Sequence, residues 1–578
     1  MEIVNKSRIK PIIKKRKSRS QTSKILAFAL SLLLLMALTG PVDVLAENQV
    51  KIKYNDEFIV FNETYGFPFV DENNRTQVPF RLTMETVGAT VSWNQKTKTA
   101  TAIKGDIRVD VPIGELYILR NGEKILNDTT SRVIDARTYL PIRIVLEAFG
   151  GDVRWEQKSY TVFVEYQEEV NLFTTIPKSF DLRKIDKVTG VKDQFATGSC
   201  WAFASFGAIE SALLPNEFWD FSEDHLSLGH GFNLDQAAGG NYAISLSYLT
   251  RWSGPVVEKD DLFNDGINNP DAKVVKHIQE AQFIPNKDYS GIKVSVMTYG
   301  AVQTSIFIDD KTLAPGSEYY NDETASYYYY GIKKINHDVV IVGWDDSYSK
   351  ENFKKVPSRN GAFIVKNSYG TEFGKDGYFY VSYDDIHIGT QNVVFTKIEK
   401  VTNYDHIYQT DWLGYIGQIG YGEDTAYFAN VYSTKGKELL KAVSFYATDE
   451  KSTYEVYIVD SYKSVKDFNN KVLVKRGYLD YGGYYTVDFE SPIVVEGTYS
   501  VIVKITTPGS LFPVAAEFMK DEPWLKTVNT SDGIGYMSYD AVDWDRTETV
   551  LEANVCLKAF TYNYSLSLLD EPLPASRN

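Results

Sequence analysis

Four side chains in this sequence are of the types that acyl transfer needs, and they follow one another in a workable order. Cys200, in "GSCWAF", offers a thiol flanked by small and aromatic residues. His337, in "INHDVVIVGWDD", offers a proton carrier at the head of an alternating run, and Asn367, in "GAFIVKNSYG", offers an amide at the end of another. Gln194 stands six residues before the cysteine. A thiolate nucleophile requires a base, a group that orients the base, and donors for the oxyanion formed when a carbonyl is attacked. Singly, each residue has a plainer reading: a buried core thiol, a satisfied strand histidine, an ordinary turn asparagine. Jointly, in order and in fitting local context, they favour chemistry.

These side chains must be carried by particular elements. Ala202, Phe206, Ile209 and Leu213 step by four, three and four, which predicts an amphipathic helix starting at or just after Cys200. A thiol at a helix N-terminus faces unpaired N–H groups and the positive end of the macrodipole, both of which favour thiolate. The six histidines do not cluster and no Cys-x-x-Cys motif occurs, so no metal site is expected. His225 and His230 read as structural, and Cys556, in "EANVCLKAF", reads as a core thiol.

The 578 residues exceed one core and suggest about three units. Residues 1–46 combine a basic run, the apolar stretch "ILAFALSLLLLMALTG" and the small-residue site Val44-Leu45-Ala46, the pattern of a secretory signal. Without that segment, 52 Lys and Arg stand against 74 Asp and Glu, a formal charge of −22. Such a surface repels nucleic acid and anionic lipid, so neither nucleic acid nor, after signal cleavage, a membrane is an expected partner. Two cysteines 356 residues apart form no stapled framework, so the cores must hold the fold.

In the order Gln, Cys, His, Asn, the stretch 176–396 resembles the papain family of cysteine peptidases. The 137 residues from Cys200 to His337 fall within the roughly 130 to 150 of that family. The resemblance implies a two-lobed fold, a helical lobe and a β-barrel-like lobe, that hydrolyses proteins or peptides without a required cofactor. It makes Cys200 the nucleophile, His337 the base and acid, Asn367 the orienting group, and Gln194 with the Cys200 N–H the oxyanion hole. Gly239 and Gly240 match the family's paired glycines, which let an extended substrate pair with enzyme backbone; Trp201 and Tyr369 complete the implied substrate-binding set. Tyr369 stands where the family usually has tryptophan and would shield the His–Asn hydrogen bond. Phe195 and Thr197 replace a glycine and a disulfide cysteine of the pattern, and the helical inhibitory propeptide is missing.

Ahead of this segment, "RTQVPFRLTMETVGATVSWNQKTKTATA" recurs 62 residues later as "RTYLPIRIVLEAFGGDVRWEQKSYTVFV". Each copy reads as a short helix with proline in its first turn, a glycine stop and two strands. The repeat, residues 47–170, resembles the N-terminal domain of copper amine oxidases but contains no histidine for copper. Its recurring Arg and Glu are expected to bridge helix to strand. Beyond residue 401, alternating tyrosine-rich runs predict an antiparallel β-sandwich over 401–565. That stretch resembles the lectin-like domain that follows papain-type domains in some clostridial surface peptidases. The resemblance implies cell-wall or surface carbohydrate as a further partner and a calcium site, for which Asp540, Asp543 and Asp545 are the oxygen ligands on offer.

The expectation is therefore a multidomain α+β protein: a secreted or surface-associated bacterial cysteine endopeptidase. Two alternatives carry different chemistry, a non-catalytic surface adhesin and a Cys/His peptidoglycan hydrolase.

Overall fold

The computed structural model describes residues 50–565 except 55–56, 63–64, 88, 105–106, 136, 150, 157–158, 167–175, 315, 526–527 and 532. The signal-like segment 1–46 lies outside the described residues. Among the described residues no helix is long and apolar enough to cross a membrane. The chain divides into two compact units, which meet in sequence near residue 175.

In the first unit the repeat is visible as a local dyad. The strands Thr76–Pro79 and Arg137–Pro141 pair antiparallel, with Val78 opposite Leu140, its own counterpart 62 residues on. The helices Phe80–Thr86 and Ile142–Ala148 follow them directly, each entered through a proline whose fixed φ suits a helix start. Both helices bury their apolar faces in one shared cluster that includes Met84, Val145 and Leu146. The recurring Arg and Glu of each helix pair within that helix and not with a strand as expected. Arg81 pairs with Glu85 at 3.2 Å and Arg143 with Glu147 at 3.7 Å, one turn apart on the same exposed helix face. Spacing of i to i+4 brings such side chains together before any strand is within reach.

The second unit begins with the helical lobe: the cysteine helix Cys200–Leu213, then Glu223–Gly229 and Tyr242–Thr250. Its partner is an antiparallel sheet in which the histidine strand His337–Asp345 is central. Val302–Ile306 pairs on one side and Ala362–Lys366 on the other, and the latter ends one residue before Asn367. The cysteine helix differs from the amphipathic expectation, because every residue of it except Ala212 is buried. Sheet and helices surround it, so its polar members, Ser205, Glu210 and Ser211, are internal as well.

The C-terminal domain is built on two long paired strands, Thr425–Ala447 and Gly482–Thr506, with a three-stranded sheet formed by 417–419, 514–518 and 553–555. Cys556 is a core thiol beside Tyr446, Tyr484 and Ala515. Asp540 caps its own turn by accepting from the backbone N–H of Val542 and Asp543. No group of three His, Cys, Asp or Glu side chains suited to a metal occurs among the described residues, so Asp540, Asp543 and Asp545 do not assemble the expected calcium site.

This domain is not a separate bead. Strand Lys276–Ile284, in the same lobe as the histidine strand, pairs with Gly482–Thr506, running one sheet through both domains. Gly483 sits opposite Gln282, where a Cβ would lie 2.3 Å from the Ala281 carbonyl oxygen. Beside this seam Trp252 stacks on His277 at 3.7 Å, with Phe560 behind it at 5.6 Å. Burial pushes the His277 imidazole down to about 4, against a hydrogen bond with Asn403.

Two measurements probe the seam. Gly483→Val is expected to cost about 1–3 kcal/mol through backbone displacement, read as a lowered midpoint in urea unfolding. His277 should make stability pH-dependent in a defined direction. Below its ordinary pKa of 6.5 the unfolded chain takes up a proton that the folded chain refuses until about pH 4. The advantage of wild type over His277→Gln should therefore shrink by about 2 kcal/mol between pH 7.5 and pH 5.

Candidate active site

The first turn of the cysteine helix is left uncapped. Ser199 at its N-cap makes no capping hydrogen bond and no acidic residue occupies the first turn. The Ser199 hydroxyl instead meets Thr197 Oγ1 at 2.6 Å. The backbone N–H groups of Cys200 and Trp201, with that of Asp338, the residue after the histidine, act on the sulfur in the direction that favours its anion. Thiol and histidine strand are therefore in contact, and Gly207 makes the crossing close, because a Cβ there would lie 3.3 Å from Val340.

His337 Nε2 and Asn367 Oδ1 are 2.8 Å apart, both side chains buried. The same Asn367 oxygen accepts from the Ser368 N–H at 2.9 Å, which identifies it as the acceptor. Nε2 therefore carries the ring proton and Nδ1 the lone pair. The Tyr369 hydroxyl reaches that Nδ1 at 3.4 Å, and its ring lies 4.8 Å from the imidazole. Sequence placed Tyr369 as a shield over the His–Asn bond; its polar end faces the opposite nitrogen.

Gln194 is held between the two lobes. Its Oε1 accepts from Ser368 Oγ at 2.7 Å and its Nε2 donates to the Thr197 carbonyl at 2.7 Å, which leaves one amide N–H unspent. Phe195, next to it, adopts φ +50° and is 62% exposed. Gly239 has φ +81° and open space where a Cβ would point, whereas a Cβ on Gly240 would lie 2.4 Å from the Trp201 ring. Trp201 is only 2% exposed and supports Gly240 from beneath, so its side chain does not line a groove as expected.

Desolvation dominates the electrostatics. Burial, aided by the Asp338 carboxylate, pushes the Cys200 thiol up to about 12, although three N–H groups favour its anion. The helix end alone thus does not make a thiolate, contrary to the reading from position. Burial also pushes His337 down to about 4, partly offset by Asn367.

Several supporting residues escaped the sequence reading. Asp338, raised to about 6 by burial, is satisfied by Ser305 at 2.6 Å and Gln303 at 3.0 Å. Gln303 in turn accepts from Ser205 on the cysteine helix at 2.9 Å. The serine inside an otherwise apolar helical run was the available signal. A second group lies behind the triad: Lys192 Nζ meets Glu223 at 2.9 Å, Asp220 at 2.6 Å and Glu210 at 3.5 Å. Burial opposes charge on Lys192, yet the Glu223 and Glu210 carboxylates outweigh it and hold the ammonium above the usual lysine range. A cavity of about 20 Å³, room for about one water, borders Lys192, Glu210, Glu223, Lys366 and Asn367. His225 meets Tyr248, and His230 accepts from the Phe232 N–H at 2.9 Å; both are structural.

Comparison with known proteins places these features. Family profiles match in three successive segments: the copper amine oxidase N-terminal domain over 53–164, the papain family cysteine protease over 176–398, and the lectin-like domain over 407–561. Cysteine proteinase 15A of Pisum sativum is 28% identical over 245 residues, covering 40% of this chain and 64% of the pea protein. Cathepsin L of Sarcophaga peregrina is 30% identical over 219 residues, covering 35% of this chain and 58% of that one. The chain thus spans less than two thirds of either curated relative. The solved clostridial cysteine protease Cwp84 after propeptide cleavage aligns with TM-score 0.60 and 26% identity over 67% of this chain and 99% of that structure. A second structure holds the cysteine protease and lectin-like domains of Cwp84, a surface layer associated protein of Clostridium difficile; it aligns with TM-score 0.59 and 25% identity, over 67% of this chain and 89% of that one.

Lys192 provides a test of the internal support. Glu210 and Glu223 expose only 1% and 2% of their side chains. Lys192→Met removes their nearest counter-charge and leaves only Lys366 beside them, and the expected loss is about 3 kcal/mol in chemical denaturation.

Proposed function

We propose that this chain, whose central segment is a papain-family cysteine protease domain set between a copper amine oxidase N-terminal-type domain and a lectin-like domain, is a secreted cysteine endopeptidase acting through Cys200, His337, Asn367 and Gln194. The observation that carries this reading is the 2.8 Å bond between His337 and Asn367, on the strand that packs against the Cys200 helix where Gly207 meets Val340.

The chemistry runs as acyl transfer. When a peptide carbonyl enters, the Cys200 proton passes to His337 Nδ1 and the sulfur attacks the carbonyl carbon. The oxyanion is met by the Cys200 N–H and the free amide N–H of Gln194. The imidazolium gives its proton to the leaving amine, the C–N bond breaks and a thioester remains. Water, deprotonated by His337, then hydrolyses the thioester and returns the thiol. Asn367 supports both steps by accepting from Nε2–H, a bond that strengthens once the ring is charged. Papain-family proteases need no cofactor, so none is assigned.

Export rests on the basic and apolar pattern of residues 1–46. The location of Cwp84 at a surface layer supports a cell-surface setting and proteins of that surface as substrates. The lectin-like domain supports carbohydrate as its partner. Gly239, with open space above it, is the backbone position at which an extended substrate would pair.

Cys200→Ala is expected to abolish casein hydrolysis and labelling by an epoxysuccinyl thiol probe. An adhesin would show no labelling in the wild type, and a peptidoglycan hydrolase would act on purified cell wall instead of casein. Asn367→Ala removes a hydrogen bond to a charged ring, about 1.5–3 kcal/mol, so kcat/KM should fall roughly ten- to hundredfold with little change in KM.

A further inference from the structure

The aromatic packing behind the cysteine helix does not stop at the helical lobe; it runs on into the lectin-like domain. Trp524 of that domain is buried, and it belongs to the apolar cluster that contains Trp201 and Phe206 of the cysteine helix. Its ring meets Phe232 at 6.2 Å, Phe232 meets His230 at 5.9 Å, and His230 meets Trp201 edge-on at 5.9 Å. Trp201 in turn lies under Gly240. A series of touching rings therefore links the lectin-like domain to the backbone beside Cys200.

Residues 230–240 form a strap that both domains hold. At its start the Arg251 guanidinium donates to the His230 carbonyl at 3.0 Å and, in the lectin-like domain, to the Trp412 carbonyl at 3.2 Å. In its middle the Asn233 N–H donates to the Trp524 carbonyl and its side-chain amide to the Pro523 carbonyl, both at 2.8 Å. Toward its end the Gln236 carbonyl accepts from the N–H of Gly198, two residues before Cys200, at 3.0 Å. A Cβ on Gly198 would lie 2.7 Å from the Gly239 nitrogen, so this crossing has no slack. The strap has no regular structure beyond the single turn Gln236–Ala238, so its course is set by what holds it.

We propose that the lectin-like domain is part of the substrate-binding apparatus: Trp524 positions the strap, and through it the Gly239–Gly240 backbone, for pairing with an extended peptide. This rests on the peptidase reading above and adds to it a positioning residue that acts through Phe232 and Asn233, not on the reacting atoms. Close-packed rings have little room to absorb a displaced neighbour, so a shift at Trp524 is passed along the series. A displaced strap misaligns the main-chain donors and acceptors that an extended substrate needs. Cys200, His337 and Asn367 are carried by a helix and by strands, and they stay in place. The signature is therefore in substrate affinity and not in the chemical step.

Full-length Trp524→Ala and Trp524→Phe are compared with wild type on a peptide that the wild type cleaves out of casein. The expected result for Trp524→Ala is a KM raised about five- to tenfold, the equivalent of one main-chain hydrogen bond to substrate, with kcat within about twofold of wild type. Trp524→Phe keeps a ring against Phe232 and restores KM to within about twofold. Alkylation of Cys200 by iodoacetamide, which needs no strap, keeps its wild-type rate. An unchanged KM overturns the proposal, and so does a fall in kcat matched by slower alkylation, which marks a general loosening of the lobe. Hydrogen exchange gives a reading that depends neither on catalysis nor on the folding of Trp524→Ala. Asn233→Ala removes only an exposed side-chain bond to Pro523. Amides over 230–240 are expected to exchange faster in this variant while those of 338–342, in the histidine strand, do not change; wild-type exchange over the strap overturns the proposal. If the wild type cleaves no peptide at all, the peptidase reading fails; an active enzyme whose KM and exchange ignore these variants sinks only the present inference.

Discussion

Everything at this site follows from pressing the first turn of one helix against the first residues of one strand, dry. The contact removes water from a thiol, an imidazole and a carboxylate together, and burial is the largest influence on all three. In water the uncapped helix end would favour a thiolate; here the cost of burying the anion exceeds that benefit. What the helix end supplies instead is preorganisation. On the proposed mechanism its unpaired N–H groups are in place before negative charge develops at the sulfur and the carbonyl, so little reorientation is needed.

Dry polar groups must be satisfied, and satisfying them is how the lobes are joined. The chain Asp338, Gln303, Ser205 ties the histidine strand to the cysteine helix by side-chain hydrogen bonds. On the far side Lys192, two residues before Gln194, gathers carboxylates from the cysteine helix and from Glu223–Gly229, the next helix. Lys366, one residue before Asn367, donates to Thr189, whose hydroxyl donates to Glu210. His337, Gln194 and Asn367 thus each have a neighbour in sequence that anchors them to a different element. Both cysteines are free, so these bonds and the apolar cores do the work that disulfides do elsewhere.

The start of the cysteine helix was legible to the residue, because the apolar steps of Ala202, Phe206, Ile209 and Leu213 begin there. The repeat was legible as well, though the strand ahead of each helix, which sets Val78 opposite its counterpart Leu140, was not part of that reading. What periodicity could not convey is what covers the other faces. The helix read as one-sided is enclosed, and Trp201, an aromatic beside a thiol, is spent beneath a glycine. The helix arginines Arg81 and Arg143 were assigned partners on a strand when the nearest acid was one turn away. Burial depends on long-range packing, so neither the raised thiol nor the depressed imidazole could be read from spacing. The polar end of Tyr369 was equally hidden, since a letter in a sequence does not say which nitrogen it will meet.

The continuous sheet between Lys276–Ile284 and Gly482–Thr506 carries a consequence of its own. A joint made of backbone ladder, with a glycine admitting close approach, has no hinge. On the proposed function, a ligand held by the lectin-like domain would therefore fix the bearing of the Cys200 helix as well: holding would become aiming, and only polypeptides on an arc around that point would come within reach.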